Sequence, residues 1–315
     1  MSNPDYVIRA LHENDDFEEI RRLLEHTRKK YINDDRMSVP SAEELKNAYF
    51  PTEPSRVEYG PKKGFISVKD GNLNAFMGVS LNNATKNGFV EYGILENDEA
   101  TLHSLIEKCC DVVTENGGNK IYYFAFTQFG QIRNPEITQF EKFGFISDEF
   151  SNCSTHLALN HWEEPQELDT SNIYADRNID LTDIEEMLVE DGELSMAEQF
   201  KNSYSEQTPD VVILTLKNAD NEMTGFAYYK VRLAHPSHTD PSANAFGIHF
   251  RPKYHLTLNE KRRLLRAALR SMKQLNATSV TTLMSLKNFE TFVILANEGF
   301  TDFIVNSVRL TKPIH

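Results

Sequence analysis

The chain carries the same sequence landmarks twice, about 150 residues apart, and this duplication constrains the fold more than any other feature. Three short matches carry it: Ala75-Phe76 with Gly225-Phe226, Tyr92-Gly93-Ile94 with Phe246-Gly247-Ile248, and Gly144-Phe145 with Gly299-Phe300. The separations are 150, 154 and 155 residues, which is nearly constant. A repeat of this length is a whole domain rather than the roughly 20–50-residue unit of a solenoid. The sequence therefore predicts two copies of one domain.

A polar, acidic segment with one proline, residues 160–170, separates the two copies. We therefore place the domains at residues 1–160 and 171–315. A chain of 315 residues is long enough for two domains of ordinary size, and 20 Phe and 12 Tyr help to fill two cores. Trp162, the only tryptophan, lies in this linker and is expected to pack where the domains meet.

Hydrophobic periodicity predicts the same order of elements in each copy: a strand, one or two helices, three antiparallel strands, a helix, a strand, a helix and a closing strand. Asp70-Gly71 between two apolar runs predicts a tight hairpin. Ser41 followed by Glu44 predicts a capping box at the start of a short helix. The expected fold class is α+β with a mixed sheet.

One segment of the second copy carries the clearest motif. An apolar strand, 244–250, is followed by Pro252, Tyr254, the loop 255–260 and a helix that runs to about Leu275. Later in each copy a helix ends in Gly-Phe, as 139–145 (QFEKFGF) and 294–300 (ILANEGF), and Asn288 precedes the second of these helices. These patterns, together with the duplication, resemble the GCN5-related N-acetyltransferases (GNAT), and the resemblance covers nearly the whole chain.

The resemblance implies two tandem GNAT domains, acetyl-CoA as a cofactor, and acetyl transfer from it to the amine of a small molecule or peptide. In the family, a glycine-rich loop and the following helix N-terminus hold the pyrophosphate of acyl-CoA. The implied cofactor-binding residues of the second copy are Phe250, Arg251, His255, Leu256, Thr257, Leu258, Asn259, Arg262, Arg263 and Asn288. A backbone N–H near Phe250 or Leu95 is expected to stabilise the oxyanion.

Departures from the family pattern keep a second interpretation open. The loop 255–260 (HLTLNE) lacks all three family glycines, and the equivalent loop 96–101 carries three carboxylates that would repel a pyrophosphate. The family tyrosine that protonates the leaving thiolate falls on Phe140 and Leu295, neither of which transfers a proton. The alternative is a non-catalytic GNAT-fold protein that binds a small ligand or a protein partner.

Two residues are candidate catalytic bases. Glu91 lies on the strand before the first loop, where some family members place a carboxylate, and it could relay a proton with Tyr92. His249 lies just before the second loop and could act near neutral pH. The structural alternatives are a solvated charge on an alternating strand for Glu91 and an ordinary surface or half-buried histidine for His249.

A basic cluster follows the second loop: Arg251, Lys253, Lys261, Arg262, Arg263, Arg266, Arg270 and Lys273. It could attract the phosphates of CoA, form the solvated face of an amphipathic helix, or dock against an acidic face of the other half.

Composition and cysteine usage narrow the remaining classes. A net charge of −14 argues against a nucleic-acid partner, including transfer from an aminoacyl-tRNA. Cys109, Cys110 and Cys153 have no metal-binding spacing, and His235, His238 and Asp240 are only a weak metal signal, so no metal is expected. No segment is long and apolar enough for a membrane span or a leader, and a reduced, cytoplasmic protein is expected.

Overall fold

The computed structural model describes residues 6–32, 39–51, 62–83, 85–96, 98–129, 131, 133–147, 152–175, 180–193, 196–197, 200, 211–233, 241–301 and 305–314. The chain forms two compact units. The first unit consists of residues 1–148 and 307–315, and the second of residues 149–306.

The first unit is a mixed sheet between two layers of helices. Its elements are β1 (Tyr6–Ala10), α1 (Phe17–Tyr31), α2 (Ala42–Tyr49), β2 (Lys63–Lys69), β3 (Asn72–Leu81), β4 (Gly88–Ile94), α3 (Glu99–Glu115), β5 (Lys120–Gln128), α4 (Pro135–Lys142), β6 (Ile146–Ser147) and the last strand of the chain, β13 (Val305–Pro313). The sheet order is β1-β2-β3-β4-β5-β13, with β6 paired to β13. One core lies between the sheet and α3 and α4, and a smaller one lies under α1 and α2.

The turn and the helix cap predicted from short sequence motifs are both present in this unit. Asp70 and Gly71 both adopt positive φ values, 52° and 80°, which a type I′ hairpin turn requires. Ser41 and Glu44 cap α2 reciprocally. The apolar face of α3 is buried in the larger core. Cys109 belongs to this face, and its thiol packs there as a small apolar group.

The second unit repeats this architecture. Its elements are β7 (Asn152–Ala158), β8 (Ile173–Ala175), α5 (Leu181–Glu190), β9 (Val211–Lys217), β10 (Met223–Leu233), β11 (Pro241–Phe250), α6 (Leu258–Gln274), β12 (Ser279–Ser285) and α7 (Phe289–Asn297). The sheet order is β8-β9-β10-β11-β12-β7. Leu264, Leu265, Ala268, Leu269 and Met272 form the buried face of α6, as its amphipathic pattern predicts.

The closing strands of the two units are exchanged in sequence. β7 is the last strand of the first copy, residues 1–160, yet it pairs antiparallel with β12 along its whole length and belongs to the second unit. Most of β13, at the end of the second copy, completes the first unit, and its Val308 and Leu310 are buried in that core. The units therefore differ from the sequence-based boundaries 1–160 and 171–315 by one strand in each direction.

The strand register corrects the sequence alignment between the two copies. Phe76 lies opposite Gly93 in the β3–β4 pair, and Phe226 lies opposite His249 in the β10–β11 pair. The structural counterpart of Gly93 is therefore His249, not Gly247 as the sequence match suggested. A shift of two residues keeps every side chain on the same face, so the apolar pattern alone does not reveal it.

In each unit, two parallel strands pair only over a short stretch and then separate. β4 and β5 pair at Gly88–Val90, and β11 and β12 pair no further than Phe246 with Thr282. The remaining residues of β4 and β11 have no parallel neighbour in this register. We call the two openings the first gap and the second gap. Among the described residues, no helix combines the length and the apolar character needed to cross a bilayer.

Candidate functional site

A side chain of α1 occupies the free backbone groups at the first gap. The hydroxyl of Thr27 accepts a hydrogen bond from the Ile94 N–H (2.8 Å) and donates one to the Ile94 carbonyl (3.1 Å). Both groups face the gap and would otherwise be unpaired and buried, which is costly. The N–H of Leu95, one of the two predicted oxyanion donors, is used within the sheet, because it donates to the Asn74 carbonyl (3.1 Å).

The second gap keeps its backbone donor. The Arg251 N–H donates to the Thr224 carbonyl across β10 (2.9 Å). Because N–H directions alternate along an antiparallel strand, the N–H of Phe250 points the other way, into the second gap. Phe250, the other predicted oxyanion donor, is the structural counterpart of Ile94. The two units therefore differ at the one backbone group that a reacting carbonyl could use.

The helix that follows each gap is capped by its own residues. At α6, Thr257 and Glu260 form a capping box: Glu260 accepts from the Thr257 N–H (2.8 Å), and Thr257 accepts from the Glu260 N–H (3.3 Å). At α3, Asp98 accepts from the N–H groups of Ala100 (3.1 Å) and Thr101 (3.2 Å). Carboxylates thus occupy donors that would otherwise be open to a pyrophosphate.

A cleft of about 450 Å³ opens beside the second gap, and we call it the second-unit cleft. It brings together five of the predicted cofactor-binding residues, Phe250, Arg251, His255, Leu256 and Asn288. Lys261 of the predicted basic cluster also lines the cleft, whereas the charged lining residues Asp191, Lys287 and Glu290 were not predicted. Thr257, Leu258 and Asn259 lie at the adjacent start of α6 and do not line the cleft.

The charges of the cleft are partly satisfied within it. Lys261 forms an ion pair with Glu290 at the start of α7, and its ammonium lies 5.4 Å from the centre of the Phe250 ring. Arg251 is 8 % exposed and pairs with Asp183 and, at 3.7 Å, with Glu190. Asn288 caps α7 by accepting from the Thr291 N–H (3.1 Å). The Lys261–Glu290 ion pair therefore spans the cleft, and a bound ligand would have to displace it or pack against it.

The predicted cationic face of α6 lies outside this cleft. Arg262 and Arg266 both pair with the buried carboxylate of Glu298, each at 2.8 Å. Arg263 pairs with Asp169 at 2.9 Å. Arg270 pairs with Glu164 of the linker. These four arginines of the basic cluster thus fasten the linker and Glu298 to α6, a use that the sequence did not indicate because the partners lie up to 106 residues away.

Trp162 has a related role. Its side chain is 5 % exposed in the core of the second unit, and its Nε1–H donates to Glu298 (3.2 Å). The tryptophan therefore belongs to the second unit's own packing.

His249 is buried next to the second-unit cleft and does not line it. It is 7 % exposed and stacks on the rings of Phe226 and Tyr228, with centroids 5.2 and 6.2 Å away. Its Nδ1 lies 3.4 Å from Asp191, which does line the cleft, and its Nε2 is buried without a partner among the described residues. Glu193 is nearby, and burial raises the pKa of its carboxyl. His249 therefore reaches the cleft only through Asp191.

The first unit contains a cavity of about 250 Å³ at the first gap, which we call the Glu136 cavity. Glu136, in the first turn of α4, is 3 % exposed, and its Oε1 accepts hydrogen bonds from the hydroxyls of Tyr92 (2.8 Å) and Tyr123 (2.7 Å). Burial raises the pKa of this carboxyl to about 7, although the two tyrosine hydroxyls oppose the shift. A carboxyl that titrates near neutral pH inside a cavity is a candidate functional group.

Glu91 and Tyr92 are neighbours on β4 but project to opposite faces, as successive strand residues do. Glu91 accepts hydrogen bonds from Tyr49 (2.7 Å) and Lys62 (2.8 Å), whereas Tyr92 contacts Glu136. Glu91 also lines the Glu136 cavity. It is half-buried and paired, so it is neither the solvated charge nor the partner of Tyr92 that the sequence suggested.

The two positions of the missing family tyrosine are fully buried core positions. Phe140 stacks on Tyr123 with ring centroids 4.2 Å apart, and Leu295 lies in the second unit's core. Glu136 was missed by sequence reasoning, although a signal existed. Asn134-Pro-Glu136 matches Asn288-Phe-Glu290, and Asn134 caps α4 just as Asn288 caps α7.

The weak metal signal cannot be placed, because His235, His238 and Asp240 lie outside the described residues. Within the part of the chain that is described, no group of three or more His, Cys, Asp or Glu side chains is arranged to hold a metal ion.

Comparisons with known proteins give results only at the level of structure. No protein-family model and no curated protein sequence matches the chain. A tandem GNAT protein from the clavulanic acid biosynthesis pathway aligns with a TM-score of 0.53 at 12 % identity, over 98 % of both chains. A GCN5-related N-acetyltransferase from Sphaerobacter thermophilus aligns with a TM-score of 0.56 at 13 % identity, over 100 % of this chain and 98 % of that one.

This chain has a tandem GNAT fold. A third similar structure is a GCN5-related glucosamine N-acetyltransferase region in a fungal multi-domain β-N-acetylglucosaminidase, with a TM-score of 0.59 at 9 % identity, over 99 % of this chain and 38 % of that one. The predicted α+β class with a mixed sheet is confirmed. At these identities the comparisons establish the fold, and the GNAT fold by itself does not define the reaction.

Proposed function

We propose that the protein is an acyl-CoA-dependent N-acyltransferase that transfers an acetyl group to the amine of a small molecule or peptide, with the donor thioester in the second-unit cleft. The observation that carries this proposal is the Phe250 N–H, which points into the second gap beside a cleft lined by Arg251, Lys261 and Lys287. In the first unit the equivalent N–H is capped by Thr27. The names of structurally similar N-acetyltransferases support the same reaction class.

The proposed chemistry uses groups that line or adjoin the cleft. The thioester carbonyl oxygen accepts the Phe250 N–H, which stabilises the oxyanion as the amine attacks. The C–N bond forms, the C–S bond breaks, and CoA leaves as the thiolate. Asp191 takes the amine proton with His249 behind it at 3.4 Å, and that proton is returned to the thiolate through solvent. The phosphates are held by Lys287 and His255 rather than by the capped start of α6, while Arg251 stays paired with Asp183 and Glu190.

The test is product formation with a panel of amines and acetyl-CoA, following both free thiol and acetylated amine by mass spectrometry. We expect Asp191→Asn to lower the rate about 100-fold, as for loss of a general base. Asp220→Asn, at an exposed turn between β9 and β10 of the same unit, is the matched control and should keep the rate. Thiol release without an acylated amine, or full activity in Asp191→Asn, contradicts the proposal.

A second candidate function is a non-catalytic GNAT-fold protein that binds a small ligand or a protein partner. The observation that favours it is that both helix starts are capped by their own carboxylates, while Lys261 and Glu290 bridge the cleft. It predicts no acyl transfer with any amine of the panel and no binding of acetyl-CoA.

A further inference from the structure

The Glu136 cavity combines three features that suit an organic ammonium ion. Its floor is a carboxylate that is almost fully buried. Its walls carry the aromatic residues Tyr31, Tyr92, Tyr123, Phe124 and Phe126. Aromatic faces attract cations, and the attraction is stronger when the cation is shielded from water.

The carboxylate has room for a further partner. Both tyrosine hydroxyls donate to Oε1 of Glu136, and no hydrogen bond from a described residue to its Oε2 is observed. The two hydroxyls fix the orientation of the carboxylate, because each comes from a different strand, β4 or β5. A buried carboxylate held in this way is preorganised to accept N⁺–H donors.

The volume limits the size of the ligand. The volume of about 250 Å³ exceeds that of a roughly 150 Å³ apolar cavity, which is large enough to bind benzene. That is room for a small monoamine with a short apolar or aromatic body. Two further charged residues line the cavity, Arg28 and Glu91, and Glu91 is already paired with Lys62 at 2.8 Å. Glu136 is therefore the lining carboxylate left for a ligand cation, which favours a ligand with one cationic group.

In the described part of the first unit, the backbone groups that a donor thioester would use are already occupied. The Ile94 N–H is capped by Thr27, and the start of α3 is capped by Asp98 next to Glu96 and Glu99. Among the described residues of the first unit, an amine in the Glu136 cavity therefore has no donor site beside it.

We propose that the Glu136 cavity is a binding site for a small primary amine, held by the Glu136 carboxylate within the aromatic wall and not acylated there. This site lies wholly in the first unit, whereas the proposed transferase site lies in the second-unit cleft. The proposal therefore stands or fails independently of acyl transfer.

The test is isothermal titration of the full chain with phenethylamine and with 2-phenylethanol, which has a similar shape but no charge. We expect saturable binding of the amine with the alcohol bound at least about tenfold more weakly, because a hydrogen bond to a charged group is lost. Glu136→Gln should weaken the amine by about tenfold or more and leave the alcohol unchanged. Glu141→Gln, on the same helix and outside the cavity, is the matched control.

Far-ultraviolet circular dichroism of each variant shows whether it is folded, and Tyr123→Phe provides a second, milder change that removes one of the two hydroxyls that orient the carboxylate. Equal binding of amine and alcohol, unchanged amine affinity in Glu136→Gln, or no binding of phenethylamine and butylamine at millimolar concentration overturns the proposal. Because acetyl-CoA is absent from the titration, a negative result here says nothing against the second-unit cleft.

Discussion

Replacing Glu136 by Gln should change how the stability of the protein depends on pH. The carboxyl faces the hydroxyls of Tyr92 and Tyr123 and the cations Arg28 and Lys30 of α1. Burial nevertheless dominates and raises its pKa from 4.5 to about 7. Gln has the same shape, and its carbonyl still accepts both tyrosine hydroxyls, so the substitution removes the titration and little else.

The sign follows from proton binding. Between about pH 4.5 and pH 7 the folded protein keeps the Glu136 proton while the unfolded chain releases it, so the wild-type free energy of unfolding falls as pH rises. Above about pH 7 both states are ionised and the loss is complete. A shift of about 2.5 units at about 1.36 kcal/mol per unit gives a total of about 3 kcal/mol. The advantage of Glu136→Gln over wild type should therefore grow by about this amount across the window.

Urea denaturation at several pH values from about 5 to about 8 measures this difference. Far-ultraviolet circular dichroism follows both units, and the fluorescence of Trp162 separates the transition of the second unit, in whose core it lies. Glu115→Gln, at the exposed end of α3, gives the baseline for replacing a surface carboxyl. A stability difference between Glu136→Gln and wild type that stays constant over the whole range would refute the reasoning.

Two further substitutions test the packing around the first gap. Gly93→Ala should destabilise the first unit by about 1–3 kcal/mol, because the new methyl would lie 2.7 Å from the backbone of Leu23 and Leu24. The urea midpoint measures this loss, and an unchanged midpoint would show that α1 moves away freely. Thr27→Val should lower the free energy of unfolding by about 1–3 kcal/mol, because the Ile94 N–H and carbonyl lose their partner. The protection of the Ile94 amide from hydrogen exchange should also fall. Unaltered protection would contradict the capping role of Thr27.

Local signals explain why much of the fold was predictable. The Asp70-Gly71 turn and the capping box of Ser41 and Glu44 depend on residues within a few positions of each other. The helix positions follow from the spacing of apolar residues. Because the domain is duplicated, each copy predicts the same order of elements independently. All of these are properties of short segments that the chain carries wherever it folds.

The exchange of β7 and β13 could not be read from the sequence. Both strands close a six-stranded sheet of the same architecture, and period-two patterning does not encode which sheet a strand joins. The choice depends on side-chain packing across more than one hundred residues of chain. Val308 and Leu310, for example, fill the first unit's core although they lie at the end of the second copy.

The candidate site was only partly predictable for a similar reason. A glutamate in the first turn of a helix is ordinarily a solvated residue that complements the helix dipole. Glu136 is instead buried by Tyr92 and Tyr123, which are 44 and 13 residues away in sequence. The sequence likewise predicted that Arg262 and Arg263 of α6 bind phosphates. In the structure they pair with Glu298 and Asp169.

Titration of the full chain with acetyl-CoA tests the central claim most directly, because donor binding in the second-unit cleft precedes any transfer. Wild type and the control Lys108→Glu, on the exposed face of α3, should bind at a single site with micromolar affinity. Lys287→Glu places a negative charge in the cleft and should abolish that binding. No heat with wild type, or binding that survives Lys287→Glu, would contradict a donor site in the second unit.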